Sequence, residues 1–150
     1  MRVWRLTRAA HAAHPLSGQG AAMVGGRWNS AGVRIAYTST SRPLAVLEML
    51  THVTRDTVPP GLVLVPVDVP ERLIAAGDAW PADWSVLPYS ASARRYGDAW
   101  VGGGGSLALL VPSVVLPAER NLLINPAHRA IGRARVLAAE AFAFDRRLLR

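Results

Sequence analysis

Three side chains of complementary chemistry follow one another early in the chain: Arg27, then Tyr37 ten residues on, then Glu48 eleven beyond that. A guanidinium grips phosphate oxygens through two parallel N–H bonds. A phenol offers a stacking face and a polar tip. A carboxylate stabilises positive charge that develops at a reacting centre. Together they suit a ligand that carries phosphate, an aromatic ring and a cationic centre.

Each residue also has an ordinary reading. Arg27 follows Gly25-Gly26, where glycines let a backbone approach a ligand closely, and precedes Trp28-Asn29-Ser30, which suits a turn. A hairpin turn with an exposed arginine fits the same letters. Tyr37 shares a strand face with Val33 and Ile35, so it reads equally as a core tyrosine. Glu48 and His52 are four apart on a helix, opposite Val46, Leu47, Met49, Leu50 and Val53. From that helix alone, a solvated face with a weak pair is the simpler reading. Ser113 interrupts an apolar strand, and a buried hydroxyl must serve the backbone or line a cavity. Asn121 and Asn125, on either side of Leu122-Leu123-Ile124, pose the same question. Arg5, on a terminal strand, is a second candidate anchor. Each charge-assisted contact to phosphate contributes roughly 1.5–3 kcal/mol, so two or three would hold a dinucleotide.

The elements that must position these groups are legible in outline. Val3–Leu6 reads as a first strand, followed by an irregular stretch to Gly26. Val33–Ser39 alternates as a strand, Ser41 is a good N-cap with Pro43 in the first turn, and the helix is expected to run to about Arg55. Leu62–Val69 is a strand in which Pro66 favours an edge or a bulge. Loops and short helical pieces are expected over Glu71–Tyr96, a helical turn over Tyr96–Val101, and strands over Leu107–Leu116 and Leu122–Ile124. Pro126–Gly132 suits a turn or short helix, and Ala134–Phe144 is taken as strand. Strands outnumber helices without strict βαβ alternation, which argues for one α+β domain over residues 1–150.

Composition excludes several chemistries. The 150 residues contain no cysteine, which removes disulfides, thiolate nucleophiles and cysteine-bound zinc. The four histidines lack metalloprotease spacing, so no metal is expected. Gly102–Gly105 is not followed by Lys-Ser or Lys-Thr, so it is no P-loop. No apolar run reaches the ~20 residues of a membrane span, and no signal peptide opens the chain, so a cytoplasmic protein is expected. The net charge of +7 invites a nucleic-acid reading. All 17 basic residues are arginine, however, and they are scattered, as codon bias in a GC-rich genome would leave them. Direct nucleic-acid binding is therefore not expected; a basic RNA-binding or RNA-cleaving protein would show itself by a steep loss of affinity with salt.

The order Gly-Gly-Arg-Trp-Asn-Ser-Ala-Gly, Ala-Tyr-Thr-Ser and Leu-Ala-Val-Leu-Glu-Met-Leu-Thr-His resembles the RES domain family. Gly97-Asp98-Ala99-Trp100, Val-Pro-Ser-Val-Val, Asn-Leu-Leu-Ile-Asn-Pro-Ala-His and Phe-Asp-Arg-Arg-Leu continue the likeness along nearly the whole chain. The family's Arg, Glu and Ser match Arg27, Glu48 and Ser113. The resemblance implies an ADP-ribosyltransferase-like split β core with flanking short helices. It implies the toxin of a bacterial toxin–antitoxin pair that destroys NAD⁺ by hydrolysis or phosphorolysis of the nicotinamide–ribose bond, or that transfers ADP-ribose to a protein. NAD⁺ would be substrate, with no further cofactor. The implied partner is an Xre-type helix-turn-helix antitoxin that obstructs the cleft, giving a hetero-oligomer. On this reading Glu48, Arg27, Tyr37 and Ser113 are catalytic: Arg27 takes the pyrophosphate or its adjoining ribose, Tyr37 the nicotinamide ring, and Ser113 the nicotinamide ribose or the acceptor. Arg5, Asn29, His52, Asn121 and Asn125 support substrate binding.

Overall fold

The computed structural model describes residues 1–149. In chain order its elements are β1 (Arg2–Arg8), α1 (Gln19–Val24), β2 (Ala36–Ser39), α2 (Arg42–Leu50), β3 (Leu62–Asp68) and β4 (Ile74–Ala75). There follow α3 (Ala91–Gly103), β5 (Ala108–Pro112), β6 (Arg120–Ile124), β7 (Arg135–Val136) and β8 (Glu140–Phe142). The strands form one sheet in the order β4-β5-β6-β2-β1-β3-β7, with β8 also on β3, and only β4–β5 is parallel. This is an α+β protein. No helix among the described residues is long and apolar enough to cross a membrane.

The sheet is nearly divided. β1 pairs with β3 along its whole length, from Arg2↔Asp68 to Arg8↔Leu62, yet meets β2 at the single pair Trp4↔Ser39. Two strand groups therefore diverge on either side of that pair, and their parted backbones leave room for a cleft. Each group has its own apolar packing. Leu6, Ala45, Leu62 and Leu64 form one cluster beneath α2. Trp28, Ile35, Ala93, Leu109, Val111 and Leu123 form another beneath α3. Pro66 lies neither on a free edge nor in a simple bulge. Its carbonyl accepts from Leu137 N at 2.9 Å, on the side where the chain passes between β7 and β8. The same side carries its missing N–H, so no ladder bond is lost.

Two helices differ from the sequence reading. α2 begins as expected, with Ser41 Oγ accepting from Leu44 N, but ends at Leu50 rather than near Arg55. Thr51 Oγ1 donates to the Glu48 carbonyl at 2.7 Å, taking a terminal acceptor, and the β-branched Val53 and Thr54 that follow have low helix propensity. Its buried residues are Leu44 and Ala45, not the stripe centred on Leu47 and Leu50. Glu48 stands one turn beyond Leu44, hence on the face toward the sheet rather than opposite it. The second difference is α3, a helix of 13 residues where only a turn at Tyr96–Val101 was expected. Ser90 caps it through a bond from Ala93 N, and Gly102 and Gly103 belong to its last turn. A short helix, α1, also occupies part of the stretch read as irregular.

α3 grips the segment that carries Arg27. Ser30 N donates to Asp98 Oδ1 at 2.9 Å, Arg94 Nε donates to the Gly26 carbonyl at 3.1 Å, and Trp28 meets Tyr96 edge to face. Gly97 permits this contact, because a Cβ there would stand 1.8 Å from the Trp28 carbonyl oxygen. An alanine in mid-helix normally gains stability over glycine, by about 0.5–1 kcal/mol. Here the sign reverses: Gly97→Ala is expected to lose at least about 1–3 kcal/mol in urea unfolding, the usual cost of overpacking.

Candidate active site

A cavity of about 750 Å³ opens where β1 and β2 part, lined by Arg5, Arg27, Tyr37, Glu48, His52 and Asn121 among others. These six come from five separate segments, and only the tertiary fold brings them together. Trp4 and Met49 also line it, so apolar as well as polar side chains bound the space.

Glu48 is the carboxylate of the cleft. Ser113 Oγ donates to Glu48 Oε1 at 2.8 Å and Asn121 Nδ2 donates to the same oxygen at 2.5 Å. Oε2 has no hydrogen-bond partner among the described residues. One oxygen is thus held while the other stays available to a ligand. Ser113 itself is fully buried and also accepts from Leu116 N at 3.0 Å. It follows β5 at the start of a reversal in which Ser113 N donates to the Glu119 carbonyl. Ser113, expected at the ribose or the acceptor, directs its hydroxyl at Glu48 and is not among the residues that line the cavity. Asn121 reaches Glu48 from β6, and Ser39 Oγ donates to its Oδ1 at 2.8 Å. Ser39, unremarked in the sequence reading, had no local signal; its register opposite Asn121 is a property of strand pairing.

The loop before β2 is built around Asn29. Its Nδ2 donates to the carbonyls of Ala21, Ser30 and Val33, and its Oδ1 accepts from Tyr37 Oη at 2.7 Å. Asn29, expected as a substrate contact, is completely buried and does not line the cavity. Asn125, expected likewise, is buried, donates to the Val101 carbonyl and accepts from Ala127 N. Tyr37 presents its ring to the cleft while its hydroxyl also accepts from Trp28 N at 3.1 Å. Burial pushes its pKa upward, opposed mainly by the Trp28 bond. Gly26 is required for this packing, because a Cβ there would lie 2.8 Å from Tyr37 Oη, and it also lines the cavity.

Arg27 is more engaged than the sequence implied. Nη1 donates to the carbonyls of Trp84 and Val86 at 2.7 and 2.9 Å, and Nη2 to that of Pro88 at 3.3 Å. Of five guanidinium donors, Nε–H and one Nη2–H remain for a ligand. Tyr89 lies beneath both Arg27 and Arg94, at 5.4 and 5.2 Å from its ring centre. Desolvation lowers the Arg27 pKa, while Tyr89, Glu48 and Tyr37 oppose that shift. Arg5 bridges the parted strands, Nη1 donating to the Tyr37 carbonyl at 3.3 Å. Burial lowers its pKa. Its buried Nε has no partner and it has no ion pair among the described residues. His52 lines the cleft from the turn after α2, exposed and not bonded to Glu48 among the described residues. No cluster of metal-binding side chains occurs among the described residues.

The cleft thus sets guanidinium donors beside a carboxylate with one oxygen bonded and the other without a partner among the described residues. The RES domain family matches residues 2–145, and the chain belongs to that family. It is 36% identical over 154 residues to the Prs ADP-ribosylating toxin of Sphingobium sp. (strain YBL2), covering 98% of this chain and 96% of that protein. It is 38% identical over 128 residues to Toxin Res of Photorhabdus laumondii, covering 84% and 82%. A solved structure, that of the Mycobacterium tuberculosis MbcT–MbcA toxin–antitoxin complex, matches with a TM-score of 0.74 at 18% identity, over 94% of this chain and 83% of that one. That likeness shows the fold.

Tyr37 yields a prediction on stability. Tyr37→Phe leaves Trp28 N and Asn29 Oδ1 without their shared partner, at an expected cost of about 1–3 kcal/mol at neutral pH. A phenol whose native pKa exceeds its unfolded value adds stability below about pH 10, lost as pH rises toward the native value. Urea unfolding should therefore show wild type losing stability above that pH more steeply than Tyr37→Phe.

Proposed function

We propose that the chain is the toxin of a toxin–antitoxin pair and that it cleaves the nicotinamide–ribose bond of NAD⁺. The observation that carries this reading is the Glu48 carboxylate, bonded at Oε1 and free at Oε2, in a cleft with two arginines and a tyrosine ring. Ordinary glycosidases need two carboxyl groups, one of them to protonate the leaving group. Nicotinamide in NAD⁺ is already cationic. When the C1′–N1 bond breaks, its electron pair returns to the ring nitrogen and neutral nicotinamide departs without an acid. A single carboxylate beside the resulting oxocarbenium ion is then sufficient.

The residues divide the work accordingly. Glu48 Oε2 accepts from ribose hydroxyls and lies against the developing positive charge. The two uncommitted donors of Arg27 take phosphate oxygens of the dinucleotide, and the Arg5 guanidinium adds positive charge beside them. The Tyr37 ring packs against nicotinamide. Water then adds to C1′ and releases a proton to solvent, or inorganic phosphate adds in its place. The names of the relatives support the toxin role, and an Xre-type helix-turn-helix antitoxin that covers the cleft is the proposed partner. Transfer of ADP-ribose to a protein is a second reading, favoured by the ADP-ribosylating name of the Sphingobium relative.

NMR analysis of NAD⁺ products, with and without inorganic phosphate, should show free nicotinamide together with ADP-ribose or its 1-phosphate. Glu48→Gln should reduce turnover by roughly 10²–10³, as loss of a preorganised charge does elsewhere. Near-unchanged NAD⁺ consumption by that variant rejects the assignment. Biotinylated NAD⁺ in lysate labels protein only under the second reading.

A further inference from the structure

Behind Glu48 stands a two-step relay of hydrogen bonds. Ser39 Oγ donates to Asn121 Oδ1 at 2.8 Å, and Asn121 Nδ2 donates to Glu48 Oε1 at 2.5 Å. Ser39 and Asn121 are direct cross-strand partners of β2 and β6, so the pair is fixed by sheet register. An ionised carboxylate only accepts, so Asn121 must turn its nitrogen toward Glu48. Its carbonyl oxygen then points away, where an unpartnered amide oxygen would be costly. Ser39, only 4% exposed, supplies the donor that this orientation requires. Without that hydroxyl the amide oxygen loses its donor, and the amide is held by the Glu48 bond alone, free to twist about its own side-chain bonds, because Asn121 makes no other side-chain bond among the described residues.

We infer that Ser39 is a positioning residue: acting through Asn121, it holds Glu48 Oε1 so that Oε2 is the oxygen that meets the substrate. The inference rests on the reading of Glu48 as the reacting carboxylate. Ser113, just past β5, donates to the same oxygen while accepting from Leu116 N. The planar amide of Asn121 is held at both ends, by Glu48 and by Ser39, and Ser39 is what fixes its plane.

Threonine and valine at position 39 differ by a hydroxyl at almost equal size, and both suit a strand. Ser39→Thr should keep kcat for NAD⁺ consumption within about twofold of wild type, whereas Ser39→Val should lose about five- to tenfold, the effect of one hydrogen bond. KM should stay within about twofold in both, since the substrate contacts persist. In an Asn121→Ala background the difference between the Thr and Val variants should vanish, because the relay is cut. Equal kcat in Ser39→Thr and Ser39→Val overturns the inference, as does a difference that survives Asn121→Ala. Ser39→Ala, which adds no bulk, replaces the valine variant should that one not fold. Wild-type protein that leaves NAD⁺ intact defeats the substrate reading alone. Crystal structures of the variants then decide: an unmoved Glu48–Asn121 contact in Ser39→Val overturns the positioning role, and a turned amide or displaced carboxylate upholds it.

Discussion

A half-buried carboxylate must be solvated by the protein, and Glu48 is solvated by donors that lie 65 and 73 residues away along the chain. That demand ties α2, the residue that follows β5 and the start of β6 into one geometry. Removing either donor leaves charge less compensated, so the helix cannot drift from the sheet without cost. Both bonds converge on the same oxygen. The arrangement therefore serves two ends at once, anchoring the helix and leaving one carboxylate oxygen turned to the cleft.

The opposite wall is organised by a neutral group. Asn29 uses both amide hydrogens on loop carbonyls and its oxygen on Tyr37, so one buried side chain sets the path of the chain from α1 to β2. α3 then clamps that path through Asp98, Arg94 and the close approach at Gly97. Arg27 emerges from a fully restrained backbone and spends three bonds on the Trp84–Pro88 segment. Leu87, Pro88 and Tyr89 are thereby drawn to the cleft's edge. The guanidinium is consequently both a structural tie and a source of directed donors, and its orientation is not free to follow a ligand.

Between these walls the sheet itself makes the space. Strands that pair at only one residue cannot continue a flat ladder, and Arg5 reaches across the parting to the Tyr37 carbonyl. A cationic group there, without an acidic partner among the described residues, gives the floor of the cleft a positive character. The cleft and its wall chemistry thus follow from the same break in pairing.

How much of this lay in the letters can be read from particular residues. The alternation before Ser39, the Ser41 cap and the β-rich run at Leu62 located strands and a helix start, because those signals act within a few residues. Arg27, Tyr37 and Glu48 were legible as a chemical set by type and order. The helix end at Leu50 and the length of α3 were not, since capping by Thr51 and packing against Trp28 overrode local propensity. Nor did sequence separate the polar residues that face the cleft from those that support it. Asn29, Ser113, Asn121 and Asn125 all looked alike as hydroxyls or amides near apolar runs. The sequence by itself determined which groups were available and roughly which elements carry them. Only the tertiary structure decided which atoms meet, because hydrogen-bond partners and strand register join residues far apart in the chain, and no local pattern encodes such pairings.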